Sequence, residues 1–92
     1  MAYYMAHGEN GVIVVNSWKQ VLKTRKYLIG NNNKKYETYR EAETAALEHL
    51  RDIAPDYLPL PEHLVLNKMV TINQLNEEYL KKEAKVQGRL KQ

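Results

Sequence analysis

The apolar residues of the chain follow two different rhythms. Near the start they are short and dense: residues 2–6 are Ala-Tyr-Tyr-Met-Ala, and residues 12–15 are Val-Ile-Val-Val. Runs of aromatic and β-branched residues of that length predict strands. Between them stands Gly8-Glu9-Asn10-Gly11, and Asn-Gly is a strong hairpin signal, so residues 2–7 and 12–15 are expected to pair antiparallel. The second run has no polar alternation, which predicts a strand covered on both faces.

Further along, the spacing turns helical. Ser17-x-x-Gln20, Thr38-x-x-Glu41 and Thr71-x-x-Gln74 each fit a capping box and each precede a periodic apolar pattern. The first predicts a helix over 18–28, with Val21 and Leu22 inward and Lys19, Lys23 and Lys26 outward. Gly30 and Asn31-Asn32-Asn33, which tolerate left-handed backbone, form the turn that ends it. Residues 34–38 predict a third strand, with Lys35 and Glu37 on one face and Lys34, Tyr36 and Thr38 on the other. A second helix over 39–53 is expected to bury Ala42, Ala46, Leu50 and Ile53. Pro55, Pro59 and Pro61 bar a helix interior and predict a linker over 54–70. That linker is leucine-rich through Leu64-Val65-Leu66, so it is expected to pack on something. A last helix from 72 to about 90 carries Ile72, Leu75, Tyr79, Val86 and Leu90 on one stripe, which needs the domain or a second copy as its cover.

The predicted fold class is α+β, ββαβα: a three-stranded antiparallel sheet between two short helices, first strand central, plus a C-terminal helix. Residues 1–53 form the domain, 54–70 the Pro/Leu-rich linker and 71–92 the amphipathic helix. The link from the second strand to the third is expected to be a right-handed crossover.

Composition sharpens this outline. A chain of 92 residues makes one small domain with a thin core. It has no cysteine, which excludes disulfides and thiolate zinc sites. No apolar run approaches the roughly 20 residues of a membrane helix. No signal-peptide pattern precedes the first strand, and a cytoplasmic protein is expected. The net charge of +3 conceals segregation: residues 17–40 carry seven bases against Glu37, whereas residues 41–63 carry six acids against Arg51. A basic segment beside an acidic helix points to a polyanion partner more strongly than the net charge does.

The candidate chemistry lies in that basic segment. Lys19, Lys23, Lys34 and Lys35 offer ammonium groups to phosphates, Trp18 a stacking face, and Gly30, Asn31, Asn32 and Asn33 a loop of amides suited to 2′-hydroxyls. Each also has a plain structural reading: a core tryptophan, solvated strand lysines, a turn of asparagines. His7, His49 and His63 are scattered without metal-ligand spacing, and Gly8-x-x-Gly11 lacks the lysine and helix of a phosphate loop. No enzyme activity, metal or cofactor is expected.

The Tyr3-Tyr4 start, Gly11-Val12, Trp18, Gly30, Lys34-Lys35-Tyr36 and Thr38-x-x-Glu41-Ala42 together resemble the hybrid-binding domain. That module stands at the N-terminus of eukaryotic-type ribonuclease H and in caulimovirus viroplasmin (translation transactivator) proteins. The resemblance covers about residues 3–51. It implies a three-stranded sheet between two short helices, and binding of RNA/DNA hybrids, more weakly of double-stranded RNA, through the minor groove. By the same resemblance Trp18, Lys34 and Lys35 contact the DNA strand, and the loop from Gly30 to Asn33 meets RNA 2′-hydroxyls. Asn33 stands where family members carry an aromatic residue. The partner expected is a hybrid or an RNA duplex, with no membrane and no small-molecule substrate. The alternative is a protein-interaction module whose linker and last helix self-associate, as a homodimer, or dock on a ribosomal or translation partner.

Overall fold

The computed structural model describes residues 2–57 and 60–78. In chain order it forms β1 (Tyr3–Gly8), β2 (Gly11–Val15), α1 (Trp18–Thr24), β3 (Asn32–Tyr36), α2 (Tyr39–Ile53), β4 (Val70–Thr71) and a helical stretch α3 at 72–78. The fold is a small α+β domain around one antiparallel sheet. Its order is β3-β1-β2-β4, with Met5 opposite both Val14 and Lys34. Among the described residues the sheet thus has four strands, not the expected three. β4 adds to the free edge of β2, Thr71 opposite Gly11 and Val70 opposite Val12. A two-residue strand is too short to leave a period in the sequence, so no pattern foretold it.

Alternation along β1 and β2 divides the core in two. Met5, Val12 and Val14 face α2 and pack with Ala42, Ala46 and Leu50; Ala6, Ile13 and Val15 face α1 and pack with Val21 and Leu28. All five residues of β2 are buried, as its unbroken apolar run predicts. The helix α2 matches its expected span, and its alanines let it lie close to the strands.

Three expectations need correction. First, α1 ends at Thr24; residues 25–28 continue as turns, although Leu28 still reaches the core. Second, Leu22 faces solvent and Thr24 takes the inward place. A threonine can be buried there because its hydroxyl donates to the Val21 carbonyl at 2.6 Å. Third, β3 begins at Asn32, so Asn32 and Asn33 are strand residues and the turn proper is shorter.

The three helix caps form with different reciprocity. Ser17, Thr38 and Thr71 each accept from the N–H three residues on. Only at Thr71 does the partner side chain also take the backbone N–H, from Thr71 to Gln74 Oε1 at 3.1 Å. At Ser17 and Thr38 the glutamine and glutamate oxygens accept from the capping hydroxyl itself.

The chain beyond α2 is fastened to the sheet and to α2. The Asn67 N–H donates to the Val14 carbonyl at 2.8 Å, and the Ile72 N–H to the Asn10 carbonyl at 2.9 Å. Glu43 accepts from the Leu64 N–H at 2.9 Å, and the Tyr39 hydroxyl donates to the Leu64 carbonyl. Leu64 and Leu75 join the α2-side core, with Ile72 packed against it. The start of the last helix is therefore covered by its own chain. The remaining stripe positions Tyr79, Val86 and Leu90, and with them the homodimer expectation, lie outside the described residues. Among the described residues no helix is long and apolar enough to cross a membrane.

Leu64→Ala should lower stability by about 2–4 kcal/mol, the usual cost of emptying a buried leucine site. A urea midpoint equal to that of the parent protein would contradict this docking.

Stability should also depend on pH in two steps. Burial, and after it the neighbouring His49, holds the His7 imidazole below its ordinary 6.5. As pH falls through 6.5 the unfolded chain takes a proton that the folded chain refuses, so stability declines until the lowered folded value is passed. The Leu64 N–H, and more weakly His63, hold the Glu43 carboxyl below 4.5; its contribution is present above that value and lost as pH falls through its folded value. His7→Gln should remove the first decline and keep the second. Urea midpoints that fall in parallel for both proteins between pH 7.5 and 5.5 would refute the role of His7.

Candidate nucleic-acid interface

The strand register decides which candidate residues share a surface. Tyr4 lies opposite Lys35, and Ala6 opposite Asn33, so Lys35 and Asn33 are on the α1 side of the sheet. Met5 lies opposite Lys34 and Tyr3 opposite Tyr36, which places Lys34 and Tyr36 on the α2 side. There the Lys34 ammonium sits 5.4 Å from the Tyr36 ring centre. The lysine pair is therefore split between the two faces, as the alternation predicts.

Trp18 is the first residue of α1, three residues after Val15, the partner of Tyr4 in the sheet. Its ring meets the Tyr4 ring edge-on, centroids 5.8 Å apart at 62°. It remains 48% exposed, so it is not a core tryptophan. Tyr4 supports it from below, being half-buried against the α1-side core. A row thus runs across this face: Trp18, Tyr4, Lys35.

The helix α1 distributes the other bases. At about 100° per residue, Leu22 and Arg25 return to the flank of Trp18, while Lys19 points outward and Lys23 lies about 140° away. Lys23 lines a groove on the opposite flank with Gln20, Ile13 and Met69. The structure accordingly does not bring Lys23 to Trp18. Arg25, the C-cap residue, falls on the Trp18 flank by helical phase, about two turns further along the axis.

The Gly30 turn is positioned by a residue far away in sequence. The Asn10 side chain donates to the Tyr27 carbonyl at 2.8 Å and accepts from the Ile29 N–H at 2.8 Å. The Glu9 N–H also donates to the Ile29 carbonyl, at 2.9 Å. Gly8 completes the clamp by closeness, since a Cβ there would stand 2.5 Å from the Ile29 oxygen. The hairpin loop is Glu9-Asn10, with Gly8 opposite Gly11 and neither loop residue at positive φ. Asn10-Gly11 is therefore not the centre of a primed turn; Asn10 serves the neighbouring loop instead.

Gly30 takes φ 67° with open space around it, so its need is conformational alone. Asn31 is turned inward: its amide donates to the Thr24 hydroxyl oxygen at 2.9 Å, and its own Oδ1 is buried without a partner among the described residues. The Asn32 amide bonds back to the Gly30 carbonyl, and Asn33 is exposed. Of the three asparagines, only Asn33 presents an uncommitted amide on the Trp18 face.

Comparison with family models, with curated proteins and with solved structures gives no match.

Two histidines that look scattered in the sequence meet on the α2 side. The rings of His7 and His49 lie 4.2 Å apart between centroids, and His49 Nε2 stands 3.0 Å from the Gly8 carbonyl, to which it donates. No local spacing signals a strand-to-helix pair of this kind. Among the described residues no group of three or more His, Asp or Glu side chains is placed to hold a metal ion.

Asn10→Ala should free the Gly30 turn. The loss of two hydrogen bonds should cost about 1–3 kcal/mol. Amide exchange at Ile29 should quicken more than that of the β1–β2 pairs. Unchanged protection at Ile29 would show that the clamp does not hold the loop.

Proposed function

We propose that the chain is a non-catalytic nucleic-acid-binding module that grips an RNA/DNA hybrid or an RNA duplex across the minor groove, by shape, phosphate and 2′-hydroxyl contacts. The observation that carries the reading is the shared face: a half-exposed tryptophan braced by Tyr4, with Lys35 paired to that tyrosine and the Asn33 amide two residues away along β3. Cross-strand partners stand about 4.5–5.5 Å apart at Cβ, so an ammonium and an aromatic surface reach one backbone together. A sugar or base can lie on Trp18 while Lys35 and Arg25 neutralise neighbouring phosphates. The Asn33 amide both donates and accepts, which suits a 2′-hydroxyl.

The division of the lysine pair refines this reading. Lys35 faces the ligand; Lys34, across the sheet, is a distant charge. Gly30 and Asn31 shape the turn without touching the ligand by side chain. Residues 79–92 hold five bases against Glu83 and add phosphate attraction of their own, so each lysine is judged by difference within the full chain.

Titration with hybrid, RNA and DNA duplexes of one sequence over a salt series tests the proposal. Lys35→Ala should reduce the slope of log K against log salt by about 0.7–0.9, one phosphate contact, and Lys34→Ala by clearly less. Trp18→Ala should weaken binding by about 1–3 kcal/mol. The order expected is hybrid, then RNA duplex, then DNA duplex, with a narrow gap between the first two because Asn33 cannot stack on a sugar. Equal affinity for all three duplexes, with a folded Trp18→Ala binding normally, would reduce the site to a merely basic surface.

A further inference from the structure

The flank of α1 away from Trp18 holds a feature that nucleic-acid binding does not use. An open groove of about 380 Å³ lies there, floored by Ile13, Val15 and Met69. Its origin is in the helix. With Leu22 turned to solvent, α1 buries only Val21 and Thr24, two small side chains, against the sheet. The space left between α1 and the 67–69 segment is at the low end of the roughly 300–1,000 Å³ of small-molecule sites.

The rim supplies the chemistry. Lys23, Tyr27 and Asn67 line the groove, and the Lys23 ammonium, the Tyr27 hydroxyl and the Asn67 side-chain amide have no hydrogen-bond or ionic partner among the described residues. Of the other polar groups, the Gln20 carbonyl oxygen and the Thr24 hydroxyl are already engaged. Gln20 accepts from the Ser17 hydroxyl, and Thr24 donates to Val21 and accepts from Asn31. Among the described residues no acid lines the groove, and Lys19 and Lys26 stand on the same helix and the turn after it. The local field therefore favours an anion and repels a cation. The floor is apolar, and a methionine in it can adapt to the shape of a guest.

We infer that this groove binds a small amphipathic anion: an apolar ring or short chain on Ile13, Val15 and Met69, with one carboxylate or sulfonate at Lys23 and within reach of Tyr27 and Asn67. The site lies about 140° around the helix from Trp18, so it can be filled with or without nucleic acid.

Anilinonaphthalene sulfonate is a suitable probe for the 92-residue chain, with uncharged phenylnaphthylamine as its control. Methyl NMR should show saturable shifts at Ile13, Val15 and Met69. Lys23→Gln, a change at an exposed position, should weaken the sulfonate by about two- to fivefold, the usual worth of an exposed ion pair. The uncharged control should bind the parent protein more weakly by a similar factor and be indifferent to Lys23→Gln. The inference is overturned by absence of saturable binding, by shifts confined to other methyl groups, or by equal sulfonate affinity in Lys23→Gln.

Discussion

A strand buried along its whole length governs this fold. β2 has no exposed residue, so it requires a cover on each face and a hydrogen-bonding neighbour on each edge. In a chain this small both covers must be thin. One is α2, brought close by Ala42 and Ala46; the other is the seven-residue α1, which contributes Val21 and Thr24. β1 fills one edge. The other is closed by the Asn67 N–H and by β4, both from the proline-punctuated segment beyond α2. That segment completes the hydrogen bonding of the central hairpin.

The same constraint positions the candidate surface. With β2 inside and β1 between its neighbours, β3 is left on the outside, and its first four residues are exposed. The short step from Val15 to Trp18 then sets the tryptophan over Tyr4, because Val15 and Tyr4 are partners. Asn10 fixes the remaining degree of freedom. By bonding to both Tyr27 and Ile29 it ties the turn before β3 to the hairpin, so helix, turn and outer strand hold one relation to each other.

What could be read from the sequence, and what could not, divides along the range of the interactions. β1, β2 and α2 follow from local period, and the opposite facing of Lys34 and Lys35 follows from strand alternation. The exchange of Leu22 for Thr24 escaped because it depends on where α1 lies over the sheet, and on a hydroxyl that satisfies itself within the helix. β4 left no pattern in two residues. The Asn10 clamp spans 17 and 19 residues, and the His7–His49 pair joins strand to helix. Neither carries a local signature. Among the candidates, Trp18 and Lys35 were legible by residue type, whereas Lys34 lies across the sheet. Tyr4 and Arg25 emerged only once register and helical phase were known, and those same facts moved Lys23 to the other flank.

The pairing of Gly11 with Thr71 joins residues sixty positions apart. The β1–β2 hairpin closes a loop of two residues and can form early, whereas β4 waits on a long closure. Held by two residue pairs, β4 should be the strand most readily lost. A partial opening that frees β4 leaves β1, β2, β3 and α2 in place, and bares one edge of β2 together with part of the α2-side core. Hydrogen exchange should therefore sort the molecule into two cooperative units, a slow hairpin-and-α2 unit and a faster one that begins near Leu64. The aggregation hazard of the chain would then follow the population of the half-open state, more than that of the unfolded one.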